Sequence, residues 1–428
     1  MTIISVVPPV ENLDVVVRVP GSKSIANRAI VCAMLAKGES TIRGIPDGDD
    51  TAVLVDTLRE VQRIHQLASD AYVIAGDPQG RLPNIIDANL AGTSSRFLTA
   101  IAALYTDTRI IDGGEPLRLR PMQDLHNGLM SLGADVAPLG AEGHLPVSVS
   151  RGSLVGGHVS IRGDVSSQFI SALMLIGPVL QQGITITIDG PLVSQSYVEM
   201  TATVMRSFGA LVELTATYIS ISPTGYAATD YIVEPDFSSA AFPIVAAVLR
   251  PGEVRIPDLS LSTMQGDSAI LEIVRSMGLR VDTVDNDIVV RHETGTLLQP
   301  ISWDMSNCSD LVPAVAVACL ALEGTSTISG VGFIRNKESD RLGDLALELK
   351  KCGAQIQVDE DGLTIVGGRP LHEAEFHTHH DHRLAMALAL SSLSSGTCRV
   401  HNPEVVSKSW PQYFVDMAAI LGSTAADK

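Results

Sequence analysis

Runs of small and apolar residues at helical spacing recur along the chain, each closed by a glycine and followed by a β-rich stretch, at Gly38, Gly183, Gly252, Gly324 and Gly396. Gly38 and Gly396 stand 358 residues apart, five intervals of about 72, and the absent member falls near Asp107. A second glycine closes another helical stretch in Ser131-Leu132-Gly133-Ala134, Ser207-Phe208-Gly209-Ala210, Ser276-Met277-Gly278-Leu279 and Lys351-Cys352-Gly353-Ala354. Alternating residues follow each of these, as in Gln355-Ile356-Gln357-Val358, and predict strands. The glycines suit helix C-termini, where a left-handed residue ends the helix.

Each repeat therefore reads strand, helix, strand, helix, strand, strand, and about six of them fill the chain. Six βαβαββ units are too many for one sheet, so the expected division is three plus three. Ala227-Ala228-Thr229-Asp230-Tyr231, near the midpoint, is the candidate crossing between halves. A second crossing within 17–20 would assign the short N-terminal strand to the C-terminal half. The expected fold is α/β, of the α+β type, with two similar domains: residues 18–230, and residues 1–17 together with 231–428.

Composition narrows the partners. At 428 residues, two domains are the default expectation, and 45% hydrophobic residues with mean hydropathy +0.24 describe a buried, globular chain. A net charge of −18 and a pI near 4.9 argue against nucleic acid or an anionic membrane as partner. Any anionic ligand must be met by Lys and Arg concentrated locally. The five cysteines, Cys32, Cys308, Cys319, Cys352 and Cys398, are scattered and form no Cys-x-x-Cys pair, as reduced cytosolic thiols would. The N-terminus has no signal-peptide pattern, and the longest apolar runs, such as 311–322, are too short to span a bilayer. A soluble, cytoplasmic protein is expected.

Against this background the run Lys337-Glu338-Ser339-Asp340-Arg341 stands out. It reads as a helix start with Ser339 as cap, and also as a group able to hold an anion and move a proton. Pro20-Gly21-Ser22-Lys23-Ser24, followed by Asn27 and Arg28, lacks Walker spacing. Its glycine turn still presents N–H groups, a Lys and a Ser to an anion. Ala91-Gly92-Thr93-Ser94-Ser95-Arg96 repeats the pattern, and Arg120 precedes Pro121 at the end of a loop. Ser166-Ser167-Gln168 opens an apolar helix, with Ser194 and Tyr197 beyond the next strand; serines there also serve as plain caps, and Ser238-Ser239 occupies the corresponding repeat position. Asp310 and Glu338 are paired candidates for general acid–base work. In His377-Thr378-His379-His380-Asp381-His382-Arg383 the four histidines raise a metal site, but no further ligand lies at metal spacing and alternate strand positions face opposite sides. An Asp-His-Arg anion site, with Lys408 downstream, is the preferred reading, and no metal is expected. Lys23, Arg28, Arg96, Arg120, Lys337, Arg341, Arg383 and Lys408 all mark turns at helix starts in successive repeats. Such a gathering suits a small, multiply charged phosphate or carboxylate.

These motifs, in this order, resemble the EPSP synthase family, the 3-phosphoshikimate 1-carboxyvinyltransferases. The resemblance rests on Pro-Gly-Ser-Lys-Ser at 20–24, Ala-Gly-Thr at 91–93, Arg120-Pro121 and Val-Ser-Ser-Gln-Phe at 165–169. It continues with Lys-Glu-Ser-Asp-Arg-Leu at 337–342, Asp-His-Arg at 381–383 and Lys408, over nearly the whole chain. It implies an inside-out α/β barrel in each of two domains that close over an interdomain cleft. It also implies transfer of the enolpyruvyl group of phosphoenolpyruvate to the 5-hydroxyl of shikimate 3-phosphate through a tetrahedral intermediate, without cofactor. Shikimate 3-phosphate would be held by Lys23, Ser24, Arg28, Ser166, Ser167, Gln168, Ser194, Tyr197, Asp310 and Lys337. Phosphoenolpyruvate would be held by Lys23, Gly92, Arg120, Gln168, Arg341, His382, Arg383 and Lys408. Asp310 would be the base at the hydroxyl; Glu338, or Lys23, would protonate the methylene carbon. A monomer is expected.

Three positions depart from the family's usual pattern: Leu90 where many members have Asn, Phe97 where many have Pro, and Phe333 near a usual substrate-contacting Asn. They leave the inhibitor response open and weaken one substrate contact. The sister enzyme acting on UDP-N-acetylglucosamine usually has a Lys-Asn pair and a reactive loop cysteine. Here the pair is Lys23-Ser24, and no cysteine lies between Asp107 and Arg120. A catalytically silent anion-binding scaffold is the other alternative, against which Asp310, Glu338 and Lys23 argue.

Overall fold

The computed structural model describes residues 2–9, 12–215 and 217–427. The chain divides into two compact units: Gly21–Glu234, and Met1–Pro20 with Pro235–Lys428. These divisions fall at 20/21 and 234/235, a few residues beyond the expected 17/18 and 230/231. The second shift has a cause: Tyr231–Ile232 is still a strand of the first unit, parallel to Ile42–Arg43.

Among the described residues six sheets follow one plan, three in each unit. In the sheet of strands Gly157–Arg162, Ile184–Asp189, Tyr218–Ile221 and Val212–Leu214, the first pair is parallel and the rest are antiparallel. This is the βαβαββ repeat: a helix crosses between the parallel strands, a second helix follows, and a hairpin closes the sheet. Three sheets are completed by strands distant in sequence. The strand Ala36–Arg43 takes Tyr226–Ala227 and Tyr231–Ile232 as parallel neighbours. In the other unit, Ile3–Val7 lies antiparallel between Cys398–His401 and Ser423–Asp427. Leu13–Val16 runs parallel to Gly252–Ile256.

The crossover helices are apolar nearly all round and fill the cores, as a helix without a polar face must. In one unit these are Lys23–Leu35, Gly92–Ala102 and Ser167–Ile176, which pack on one another. In the other they are Phe237–Leu249, Val312–Cys319 and His382–Ser395, again mutually packed. Small residues such as Ala246, Ala316 and Ala387, all fully buried, permit the close approach.

The second helix of a repeat ends on the predicted glycine. Gly133, Gly209, Gly278 and Gly353 all have φ between +83° and +110°. Each donates to the carbonyl three residues back, while the next residue donates five back, as Ala134 does to Leu129 and Ala354 to Leu349. This double closure satisfies carbonyls that the helix end would otherwise leave bare. A further closure lacks glycine: Gln62, with φ of +60°, donates to Arg59, and Arg63 donates to Leu58.

Candidate active site

Nearly all the residues singled out from the sequence lie at or near the N-terminal ends of the core helices or of the segments that follow them. In the Gly21–Glu234 unit, a Cβ at Gly21 would stand 1.9 Å from the Gly44 carbonyl oxygen, so only glycine passes here before the helix starts at Lys23. Lys23 Nζ donates to Asp50 Oδ2 at 3.0 Å, and both side chains are largely buried. Asn27 and Asp50 are tied to the second core helix through Ser94, whose hydroxyl donates to the Asp50 carbonyl at 2.6 Å. Gln168 Nε2 donates to Thr93 Oγ1 at 3.2 Å, joining the third core helix to the second. Ser166 is the cap of that third helix, accepting from Gln168 N–H, and Ser167 is buried behind it.

Arg28 is buried, and neutral oxygens accept its hydrogen bonds. It donates through Nε to Thr201 Oγ1 at 2.7 Å, and through its terminal nitrogens to Ser171 Oγ and the carbonyls of Ser24 and Tyr197. The Phe97 and Tyr197 rings lie 5.5 and 6.0 Å from its Cζ. Burial pushes its pKa down to about 10, which still leaves it charged at neutral pH. Ser194, buried and left-handed at φ +54°, precedes the helix that carries Tyr197 and Thr201. Arg96 donates to the Gly92 and Pro121 carbonyls. A Cβ at Gly92 would meet Arg120 Nη1 at 2.5 Å and Arg96 Nη1 at 2.9 Å, so the missing side chain is what lets two guanidinium groups pack there.

In the other unit Arg341 is the centre. Its guanidinium, 2% exposed, donates to Asp381 Oδ2 at 2.7 Å, Asp310 Oδ1 at 2.9 Å and Glu338 Oε2 at 2.7 Å. Burial works against its charge, but the Asp381, Glu338 and Asp310 carboxylates together hold its pKa above the ordinary arginine value. Arg383 donates to Asp310 Oδ2 at 2.8 Å and to Ser238 Oγ at 3.0 Å. Lys408 Nζ donates to Glu338 Oε1 at 2.9 Å. Asp310 therefore lies between Arg341 and Arg383, and Glu338 between Arg341 and Lys408. Lys337 stands with Nζ 5.9 Å from the Phe333 ring centroid, and His382 is fully buried beside Asp381.

One sequence reading changes. Ser339 is not the helix cap. The helix begins at Gly343, and Asp340 Oδ1 accepts from Leu342 and Gly343 N–H, while Ser339 Oγ donates to Asp381 at 3.2 Å. A carboxylate facing the helix N-terminus outcompetes a hydroxyl one residue too early. The histidine run splits among separate partners: His377 stacks on His401 at 4.4 Å, His379 reaches Glu348 at 2.9 Å, and His382 lies against Asp381. Sequence reasoning missed Asp50 and Thr201, and it named Thr93 and Asp381 without giving either a role of its own. Asp381 carried a usable signal, since it directly precedes an apolar helix and proves to be its cap. Asp50 offered only an acidic run, 49–50, at a helix start.

The description EPSP synthase (3-phosphoshikimate 1-carboxyvinyltransferase) matches residues 7–417. The chain belongs to the EPSP synthase family. The 3-phosphoshikimate 1-carboxyvinyltransferase of Photobacterium profundum is 33% identical over 420 residues, 96% of this chain and 97% of that protein. The protein of the same description from Methanocaldococcus jannaschii is 35% identical over 423 residues, 98% of each. Among solved structures, EPSP synthase from Acinetobacter baumannii superposes with a TM-score of 0.83 at 25% identity, over all of both chains. The enolpyruvyl transferase NikO from Streptomyces tendae shares the fold at 21% identity, with a TM-score of 0.79 over 100% of this chain and 99% of that one. Two departures from the usual EPSP synthase pattern acquire a physical meaning here. Phe97 and Phe333 each set an aromatic ring beside a candidate cation, Arg28 and Lys337.

Proposed function

We propose that this chain transfers the enolpyruvyl group of phosphoenolpyruvate to the 5-hydroxyl of shikimate 3-phosphate, releasing phosphate. The arrangement that carries the reading is Asp310 and Glu338 interleaved with Arg341, Arg383 and Lys408. Three cations can hold a phosphate, and two carboxylates can move the protons that the reaction requires. An incoming phosphate would take guanidinium and ammonium bonds from Asp310 and Glu338, and so make both carboxylates available at the same moment. Glu338, or Lys23, gives a proton to the methylene carbon, and Asp310 takes the hydroxyl proton as the new C–O bond forms. The tetrahedral intermediate then loses a methyl proton as its C–O bond to phosphate breaks. Arg341, Arg383 and Lys408 stabilise the departing dianion; a donor of this kind is worth about 10²–10³ in turnover.

Lys23, Ser24, Arg28, Ser166, Ser167, Gln168, Ser194, Tyr197 and Lys337 are assigned to shikimate 3-phosphate. Gly92, Arg120 and His382 join the phosphoenolpyruvate set. The cytoplasm is the proposed compartment, supported by five free, buried cysteines. Among the described residues no helix is long and apolar enough to cross a membrane. The protein acts as a monomer in this reading. Nothing favours the UDP-N-acetylglucosamine reaction with its nucleophilic thiol: burial pushes Cys32, Cys319 and Cys398 up to about 12, away from the thiolate.

The test is phosphate release from phosphoenolpyruvate with shikimate 3-phosphate, with UDP-N-acetylglucosamine in parallel and EDTA in both. Release with shikimate 3-phosphate alone, unaffected by EDTA, is expected; release only with the nucleotide sugar would overturn the reading. Lys23→Met should lower turnover at least about 100-fold, with the far-ultraviolet circular dichroism unchanged. Wild-type turnover in that variant would remove Lys23 from the site.

A further inference from the structure

Behind the anion site lies a buried carboxylate that the reaction does not use. Glu348 sits on the helix Gly343–Lys350, which begins two residues after Arg341, and its side chain is 1% exposed. One oxygen accepts the His377 backbone N–H at 2.8 Å and Lys351 Nζ at 2.6 Å; the other accepts His379 Nε2 at 2.9 Å. Asp344, one turn earlier on the same helix, stands 3.6 Å from the other nitrogen of that imidazole. Burial disfavours the Glu348 charge, but the bonds from Lys351, His379 and His377 outweigh it and hold the pKa below the ordinary glutamate value.

What Glu348 grips is an unusual piece of backbone. His379 and His380 are consecutive left-handed residues, φ +50° and +57°, and neither is glycine. L-residues adopt this conformation at a cost, so the turn needs outside support to persist. It leads directly into Asp381, which caps the helix His382–Ser395 and accepts from Arg341 and Ser339. Arg383 follows on the first turn. The Lys-Glu-Ser-Asp-Arg and Asp-His-Arg segments are thus tied twice: in front by Arg341 on Asp381, behind by Glu348 on His377 and His379.

We propose that Glu348 is a positioning residue for the phosphoenolpyruvate groups: by clamping the turn 377–380 it sets Asp381, and through Asp381 the guanidinium groups of Arg341 and Arg383. The inference rests on the function proposed above. A displacement of about 1 Å at such groups can cost on the order of 100-fold in rate. Loss of the clamp therefore reaches the reaction without any contact between Glu348 and substrate.

The experiment is steady-state kinetics on wild type, Glu348→Ala, Glu348→Gln and His379→Phe, each with its melting temperature. Glu348→Ala should raise the KM for phosphoenolpyruvate about tenfold or more and lower kcat, with the KM for shikimate 3-phosphate within about threefold of wild type. Glu348→Gln retains an acceptor for the His377 N–H and should recover most of that loss. His379→Phe removes one bond of three and should shift the same KM about two- to fivefold; it decides the matter if Glu348→Ala does not fold. A lowered melting temperature with both KM values and kcat at wild-type levels would make Glu348 structural only and overturn the proposal. A wild type that releases no phosphate would instead overturn the function, so the two failures are separable.

Discussion

Gly92 does its work by having no side chain. A methyl group there would overlap Arg120 and crowd Arg96, yet its backbone is helical, so alanine meets no backbone strain. Alanine is favoured over glycine within a helix by about 1 kcal/mol. Gly92→Ala should therefore displace the Arg120 guanidinium, with the helix preference for alanine offsetting part of the cost of the collision. The expected kinetic result is an increase of roughly tenfold in the KM for phosphoenolpyruvate, with little change for shikimate 3-phosphate. Unchanged kinetics would show that Arg120 takes no part in binding. That a glycine turn opens a helix here was legible in the sequence. The collision that forbids a side chain was not, because Arg120 reaches Gly92 from another segment of the chain. Lys23 and Asp50 make the same point: the lysine announced itself, and its partner 27 residues away did not.

At the scale of elements, the repeat was readable because its helix ends use a residue with a distinct conformational range. Four closures at Gly133, Gly209, Gly278 and Gly353 share one hydrogen-bond pattern and one sign of φ. The closure at Gln62 has the same bonds but escaped notice, since any L-residue can take the left-handed conformation at a cost of about 1–2 kcal/mol. Gln62 is exposed, so glycine there would remove that cost at no loss of packing. Gln62→Gly should stabilise the protein by roughly 0.5–1 kcal/mol, after the entropy of glycine in the unfolded chain is subtracted. Denaturation midpoints would show it, with turnover unaltered; a lower midpoint would mean that the Gln62 side chain matters. The cap at Asp340 illustrates the converse limit. Both Ser339 and Asp340 suit a helix start by type, and only the path of the chain decides which oxygen meets the free N–H groups.

For the molecule as a whole, His126 sets a pH dependence of stability. It is buried, and burial, with His144 and Arg96 adding to it, pushes its pKa down from 6.5 to about 4. Below pH 6.5 the unfolded chain takes up a proton that the folded one refuses until about pH 4. Stability should thus be constant on this account above pH 6.5 and fall as pH drops towards 4, by up to about 3 kcal/mol. His126→Phe should flatten that slope in denaturation series at pH 7.5 and 5, taken as about one pH unit outside and inside the window. An equal slope in variant and wild type would assign it to other groups. The strand Ile3–Val7, held between Cys398–His401 and Ser423–Asp427, carries a consequence for biosynthesis. Its two neighbours are made long after it, so Ile4 and Val6, buried in the finished sheet, must wait for them. At about 5–20 residues per second the wait is roughly 20–80 s. Throughout that time the newborn chain carries an unpaired, apolar strand, where a chaperone or a stray neighbour can find it first.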